Sequence, residues 1–229
     1  MEDDEISAVA SGGDDGSVVL TGSTYGGWDI VNKGYEDFAA VKLDADGQVL
    51  WHWQEGSTDS DLMKAAATFD DGAVVLAGYT LGSWHTRTNG GSDFAAIKLY
   101  ANGSVAWKWQ VGIGTADDDY IYGATVMGDG SVVLAGMTHG DWSGTNAGWT
   151  DFCGVQLAGD NGTVLWKWQA GTPYGEEMYA AASGSSLAGD SARVVLAGST
   201  TGGWYDGGSS YSSTTGDYDF VAVSLDTNG

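Results

Sequence analysis

Asp71-Gly72-Ala73-Val74-Val75-Leu76-Ala77-Gly78-Tyr79-Thr80 is written, with small changes, four times in this chain of 229 residues. Its core, Val-Val-Leu-x-Gly-x-Thr, recurs as Val18 to Thr24, Val132 to Thr138 and Val194 to Thr200. Each copy is followed by a Gly-rich stretch ending in Trp (Trp28, Trp84, Trp142, Trp204). Next comes an Asp-Phe pair (Asp37-Phe38, Asp93-Phe94, Asp151-Phe152, Asp219-Phe220) that opens an alternating apolar run. The four Trp residues are 56, 58 and 62 residues apart, so a single supersecondary unit is repeated. A last marker, Trp51-His52-Trp53-Gln54, Trp107-Lys108-Trp109-Gln110 and Trp166-Lys167-Trp168-Gln169, is present three times. The repeats fall at about 1–54, 55–110, 111–169 and 170–229, and the fourth lacks the Trp-x-Trp strand.

Each repeat reads as four strands. In the second they are Leu62 to Thr68, Ala73 to Tyr79, Phe94 to Leu99 and Val105 to Gln110. Short apolar runs punctuated by 38 glycines, with no apolar face kept at helical spacing, argue for an all-β chain. Asp71-Gly72 and Asn102-Gly103 join successive strands as tight hairpins, because such dipeptides accept positive φ cheaply. Three apolar residues in succession, as at Val74-Val75-Leu76, put hydrophobic groups on both faces of a sheet. Such a sheet must be covered on both sides. Radial stacking of identical four-stranded antiparallel sheets, a β-propeller, meets that demand; a two-sheet sandwich is the alternative.

With 42% hydrophobic residues the chain has material for a sizeable core, which argues against disorder despite its acidity. The net charge of −23 disfavours binding to nucleic acid or to an anionic membrane surface. Cys153 occupies the slot of Ala39, Ala95 and Val221, so it reads as a small core residue. Asp3 to Ala8 aligns with Ser60 to Ala65, so the chain starts inside the pattern and reads as a segment of a longer precursor. The strand missing from the fourth repeat is then expected from further blades or from a neighbouring molecule.

The full pattern, Asp-Gly-x-Val-Val-Leu-Ala-Gly-x-Thr, Gly-rich loop, Asp-Phe-x-x-x-Lys-Leu, Asp/Asn-Gly and Trp-x-Trp-Gln, resembles the SBBP-type propeller repeats of bacteria and their relatives in secreted or surface proteins of microbial eukaryotes. The resemblance covers the whole chain and implies a propeller fold and an extracellular or cell-surface module. The chain departs from it at Ser183 to Arg193 and at Tyr205 to Asp217, where the fourth repeat is enlarged.

Residues that occur in every repeat are expected to be structural. Asp37, Asp93, Asp151 and Asp219 are therefore read as clamps that bond loop backbone groups. The Trp-x-Trp pairs place two indoles on one strand face, which suits packing between sheets. Trp28, Trp84, Trp142 and Trp204, with Tyr205 and Tyr211, are the candidate surface for a partner or carbohydrate ligand. Acidic stretches such as Asp117-Asp118-Asp119 suggest calcium, but the full calcium-loop spacing is missing, so no metal ligand and no cofactor is assigned. His52, His85 and His139 lie at unrelated repeat positions, and no nucleophile–base pair is visible, so an enzyme is not expected. Asn102-Gly103-Ser104 and Asn161-Gly162-Thr163 are N-glycosylation sequons at equivalent hairpin tips. Together these features predict a non-enzymatic structural or adhesive propeller of a surface glycoprotein, self-assembling or contacting other extracellular proteins and glycans, with a subunit of a fibrous assembly as one form. A carbohydrate- or protein-binding propeller is the alternative, and a propeller enzyme the third reading.

Overall fold

The computed structural model describes residues 4–11, 13, 16–28, 30–88, 90–112, 117–184, 193–203 and 218–226. Among them the chain is all-β. The first sheet runs β1 (Asp4–Ser11), β2 (Val18–Thr24), β3 (Asp37–Leu43), β4 (Val49–Glu55), and the second β5 (Asp61–Thr68), β6 (Val74–Thr80), β7 (Asp93–Leu99), β8 (Val105–Val111). The third holds β9 (Asp119–Val126), β10 (Val132–Thr138), β11 (Asp151–Leu157) and β12 (Val164–Ala170). The fourth holds β13 (Glu176–Gly184), β14 (Arg193–Thr200) and β15 (Asp219–Leu225). Every sheet is an antiparallel meander in sequence order, four-stranded three times and three-stranded in the fourth. The strands of the second repeat sit within a residue of those read from sequence. The enlarged segments of the fourth repeat lie almost wholly outside the described residues.

Hairpin geometry follows from one glycine per turn. At the β5–β6 corner Gly72 N donates to Phe69 O at 3.0 Å and Phe69 N to Ala73 O at 2.9 Å, with Gly72 at φ +79°. Gly47, Gly103 and Gly130 repeat this at φ between +80° and +83°, while Gly162, at φ +72°, closes a loop one residue longer by donating to Ala158 O at 2.9 Å. The preceding Asp or Asn does not itself enter positive φ, contrary to the sequence expectation, since no described non-Gly residue does. Its side chain instead accepts from the backbone two residues on, as in Ala73 N to Asp71 Oδ1 at 3.0 Å. The turn is thus a three-residue loop closed by a left-handed glycine, the wider relative of the two-residue hairpin.

The sheets stack side by side. β1 contacts β5, β5 contacts β9 and β9 contacts β13, so the first strand of each repeat is the neighbour of the next. β1 and β13 make no comparable contact, and the four sheets form an open, propeller-like arc. The Val-Val-Leu run supplies both joints of its sheet. Leu76 faces the first sheet, among Phe38, Met63 and Ile97, whereas Val75 faces the third, among Phe94, Ile121 and Leu134. Burying a side chain of this size stabilises by roughly 1.5–3 kcal/mol, and each joint buries several.

Aromatic residues repeat at the first two joints. Phe38 meets Trp84 edge to face at 4.9 Å, and Phe94 meets Trp142 at 5.3 Å. The outer strands add a second anchor, in which Trp51 Nε1 donates to Ala101 O at 3.0 Å and Trp107 Nε1 to Gly159 O at 3.1 Å. Each of these indoles lies flat enough on the next sheet's hairpin that a Cβ on Gly103 or Gly162 would come within 2.8 or 3.0 Å of it.

Candidate functional site

The polar residues of the repeat converge at one end of each sheet. Strand register sets Thr80 opposite both Asp61 and Asp93, and Thr138 opposite both Asp119 and Asp151. The last residue of Val-Val-Leu-x-Gly-x-Thr therefore sits between two acids. Thr80 Oγ1 donates to Asp61 Oδ1, as do Thr138 to Asp119 at 2.6 Å and Thr200 to Glu176 at 2.9 Å. The second acid holds the Gln of Trp-x-Trp-Gln. Gln110 Nε2 donates to Asp93 Oδ2 at 2.8 Å and to Gly82 O at 2.9 Å, while its Oε1 accepts from His85 N and Thr86 N. Gln54 and Gln169 repeat these bonds with Asp37 and Asp151. Backbone amides complete the set, with Lys33 N at 3.4 Å from Asp37 and Ala147 N at 3.1 Å from Asp151. Asp219 opens β15 at the equivalent register position, opposite Thr200.

These groups are interior. Asp37, Asp61, Asp93 and Asp119 are each 0% exposed, which denies them a dissolved substrate. Carboxylates of neighbouring sheets also approach one another. A Cβ on Gly56 would lie 2.2 Å from Asp37 Oδ1 and 2.8 Å from Asp61 Oδ2, and Gly171 is enclosed in the same way by Asp151 and Glu176. Burial above all, with a smaller push from Asp37, raises Asp61 to about 6. Asp151 is raised as well, chiefly by burial.

This has a definite sign. Asp61 binds its proton more tightly in the fold than in the unfolded chain, so its stabilising protonation is complete below about pH 4 and is lost as pH rises through about 6. The difference is on the order of 3 kcal/mol. Relief of the −23 net charge acts in the same direction. Unfolding at pH 4.5 and 7.5 should show the protein more stable in acid, and Asp61→Asn should flatten the difference; equal stability of the parent at both pH values would contradict the assignment.

The candidate contact aromatics divide. Trp142 is buried, with Lys167 Nζ 3.7 Å from its ring centroid, and Trp84 is half-buried under Lys108. Lys108 in turn pairs with Glu55. Trp28 is 40% exposed, with its ring edge to face against His52 at 5.9 Å. Trp204, Tyr205 and Tyr211 lie outside the described residues. Asn102 and Asn161 are both exposed, at the end of the sheets opposite the clamps. Each accepts through Oδ1, from Ser104 N at 3.0 Å and Thr163 N at 2.9 Å respectively. Cys153 is buried, and burial pushes its thiol well up. His139 Nδ1 lies 2.8 Å from Asp118 O, and no three His, Cys, Asp or Glu side chains gather to hold a metal among the described residues.

Two aromatic groups were not singled out by the sequence reading. Trp149 is 81% exposed beside Tyr174, its backbone N donating to Tyr174 O at 2.9 Å. Tyr79, Tyr120, Tyr122 and Tyr179 form a row across three sheets, with successive centroids 4.6, 6.0 and 5.9 Å apart. Burial raises these phenols, Tyr79 to about 12. Tyr122 and Tyr179 share one repeat position, which holds Ser7 and Lys64 in the first two repeats, whereas Tyr79 and Tyr120 have no tyrosine counterparts.

No family model matches the chain, and no curated protein matches it. Among solved structures it is similar to a quinohemoprotein alcohol dehydrogenase from Comamonas testosteroni, at 15% identity and TM-score 0.48, over 81% of this chain and 32% of that one. It is also similar to the tail fiber of Staphylococcus aureus phage P68, at 11% identity and TM-score 0.33, over 100% of this chain and 52% of the fiber. The chain therefore spans about a third of the first protein's length and about half of the second's.

Proposed function

We propose that the chain is a non-enzymatic structural and adhesive module of an extracellular or surface glycoprotein, built on β-propeller blades and working as part of a larger assembly. One observation carries the reading: the acids, Thr and Gln repeated in the sheets are committed to interior bonds that hold loops and neighbouring sheets together. A group bonded on all sides and sealed from solvent serves the scaffold. The scaffold leaves variable features for contact at its two ends. Exposed sequons at Asn102 and Asn161 occupy the hairpin end, and Trp149 with Tyr174 occupies the clamp end.

Glycan attachment is compatible with the local geometry, because each Asn is stapled through its Oδ1 while Nδ2 is the atom a glycan takes. Mass spectrometry of the protein from its natural source should find hexose-containing mass on peptides holding Asn102 and Asn161, removed by Asn→Gln at each. Unmodified peptides at both sites would overturn the glycoprotein reading.

A further inference from the structure

The joints between sheets follow one design, and among the described residues two faces of that design carry no neighbour. On the leading face the position held by Met63, Ile121 and Met178, each 0% exposed, is Ile6 in the first sheet, at 65%. Trp28, at the place of buried Trp142, is 40% exposed. On the trailing face the position held by Phe38, Phe94 and Phe152, each 0% exposed, is Phe220 in the fourth sheet, at 87%. Val195 is likewise 42% exposed, where Val19, Val75 and Val133 are fully buried.

The two faces fit each other. Inside the chain the trailing Phe of one sheet packs edge to face on the leading Trp of the next. The first sheet offers that seat empty, as a groove of about 230 Å³ lined by Ile6, Leu20, Gly22, Trp28, Ala39 and Val41. Phe220 is the matching knob. We propose that a second copy of this chain docks head to tail, its Phe220 face seated against Ile6 and Trp28, continuing the joint that already holds the sheets together. The occupant follows from this continuity: the groove repeats a seat whose known guest is the same sequence motif, Asp-Phe followed by alternating small and branched apolar residues.

A head-to-tail contact is heterologous and continues until it closes. One arc does not close on itself, because β1 makes no contact with β13 comparable to those between successive sheets. Propellers hold about four to eight blades, and two arcs of four make eight. A closed pair is therefore the expected assembly. This inference deepens the assembly part of the function proposed above and stands apart from its glycans.

The test uses Ile6→Asp and Phe220→Asp in the full chain, where both positions are exposed and the single chain keeps its fold. Mass should be measured by light scattering at roughly 100 μM, where joints of micromolar affinity are populated. The parent should run at twice 23.7 kDa and each variant alone at 23.7 kDa. An equimolar mixture of the two variants should regain a 1:1 pair, because the intact tail of one meets the intact head of the other. A monomeric parent, a pair that survives either substitution, or a mixture that stays monomeric would each overturn the proposal. A symmetrical joint of Phe220 on Phe220 would be recognised by its indifference to Ile6→Asp.

Discussion

Gly136→Ala should cost more than about 3 kcal/mol and lower the unfolding midpoint by roughly 6–12 °C or more. A Cβ there would stand 1.8 Å from Tyr120 O, in the backbone of the neighbouring strand, and no rotamer can relieve that overlap. The position needs space rather than an unusual φ. It lies beside the register shift in the β9–β10 pairing, where the bulged strand brings its carbonyl against the glycine. Gly22, Gly78 and Gly198 meet the corresponding carbonyls at 1.8–1.9 Å, which explains why Val-Val-Leu-x-Gly-x-Thr keeps its glycine in every repeat. Gly144→Ala, where a Cβ meets nothing within 4 Å, is the control and should be nearly neutral. Equal midpoints for the two variants in thermal or urea unfolding would refute the close approach.

Gln110→Ala should destabilise by roughly 3–4 kcal/mol, because a buried side chain with four partners disappears. His85 N, Thr86 N, Gly82 O and Asp93 Oδ2 all lose a bond, in a place where Gln110 is 3% and Asp93 0% exposed. Gln54→Ala removes the same kind of bonds from a half-buried position in the first sheet, so its cost should be smaller. Gln110→Glu separates a polar clamp from mere filling of space. It retains the acceptor for the two amides but sets a second carboxylate against Asp93 and Gly82 O. Its loss should exceed that of Gln110→Ala at neutral pH and shrink in acid, as either carboxyl takes up a proton. A Glu variant as stable as the parent at pH 7 would show that the amide of Gln110 donates no bond that matters.

Much of this was legible from repetition. Val74-Val75-Leu76 demanded burial on both faces, and Trp-x-Trp required a neighbouring sheet for its indoles; both demands are met at the same joints. Asp37 and Asp151 read as clamps, and each bonds a backbone amide and the Gln of the outer strand, while Asp93 bonds Gln110. The partner acids, Asp61, Asp119 and Glu176, were less visible, although a Thr recurs 19 or 24 residues after each of them. They open the first strand of each repeat, the part whose sequence varies most, and only strand register shows that the Thr faces both acids. Trp149 escaped because Tyr35 and Gly91 fill the same slot, so no shared position flags it. Ile6 and Phe220 differ from their counterparts in what lies beside them, and neighbours are a property of the fold rather than of the residue.

Successive repeats stack side by side, with aromatic residues at the joints. Nuclear Overhauser contacts from the Trp51 indole to Gly103 and from the Trp107 indole to Gly162 test this stacking most directly, since each links an outer strand to the next sheet's hairpin. Stacking of the repeats predicts both contacts. Their absence, with the two indoles instead contacting a sheet packed face to face across a sandwich, would contradict it.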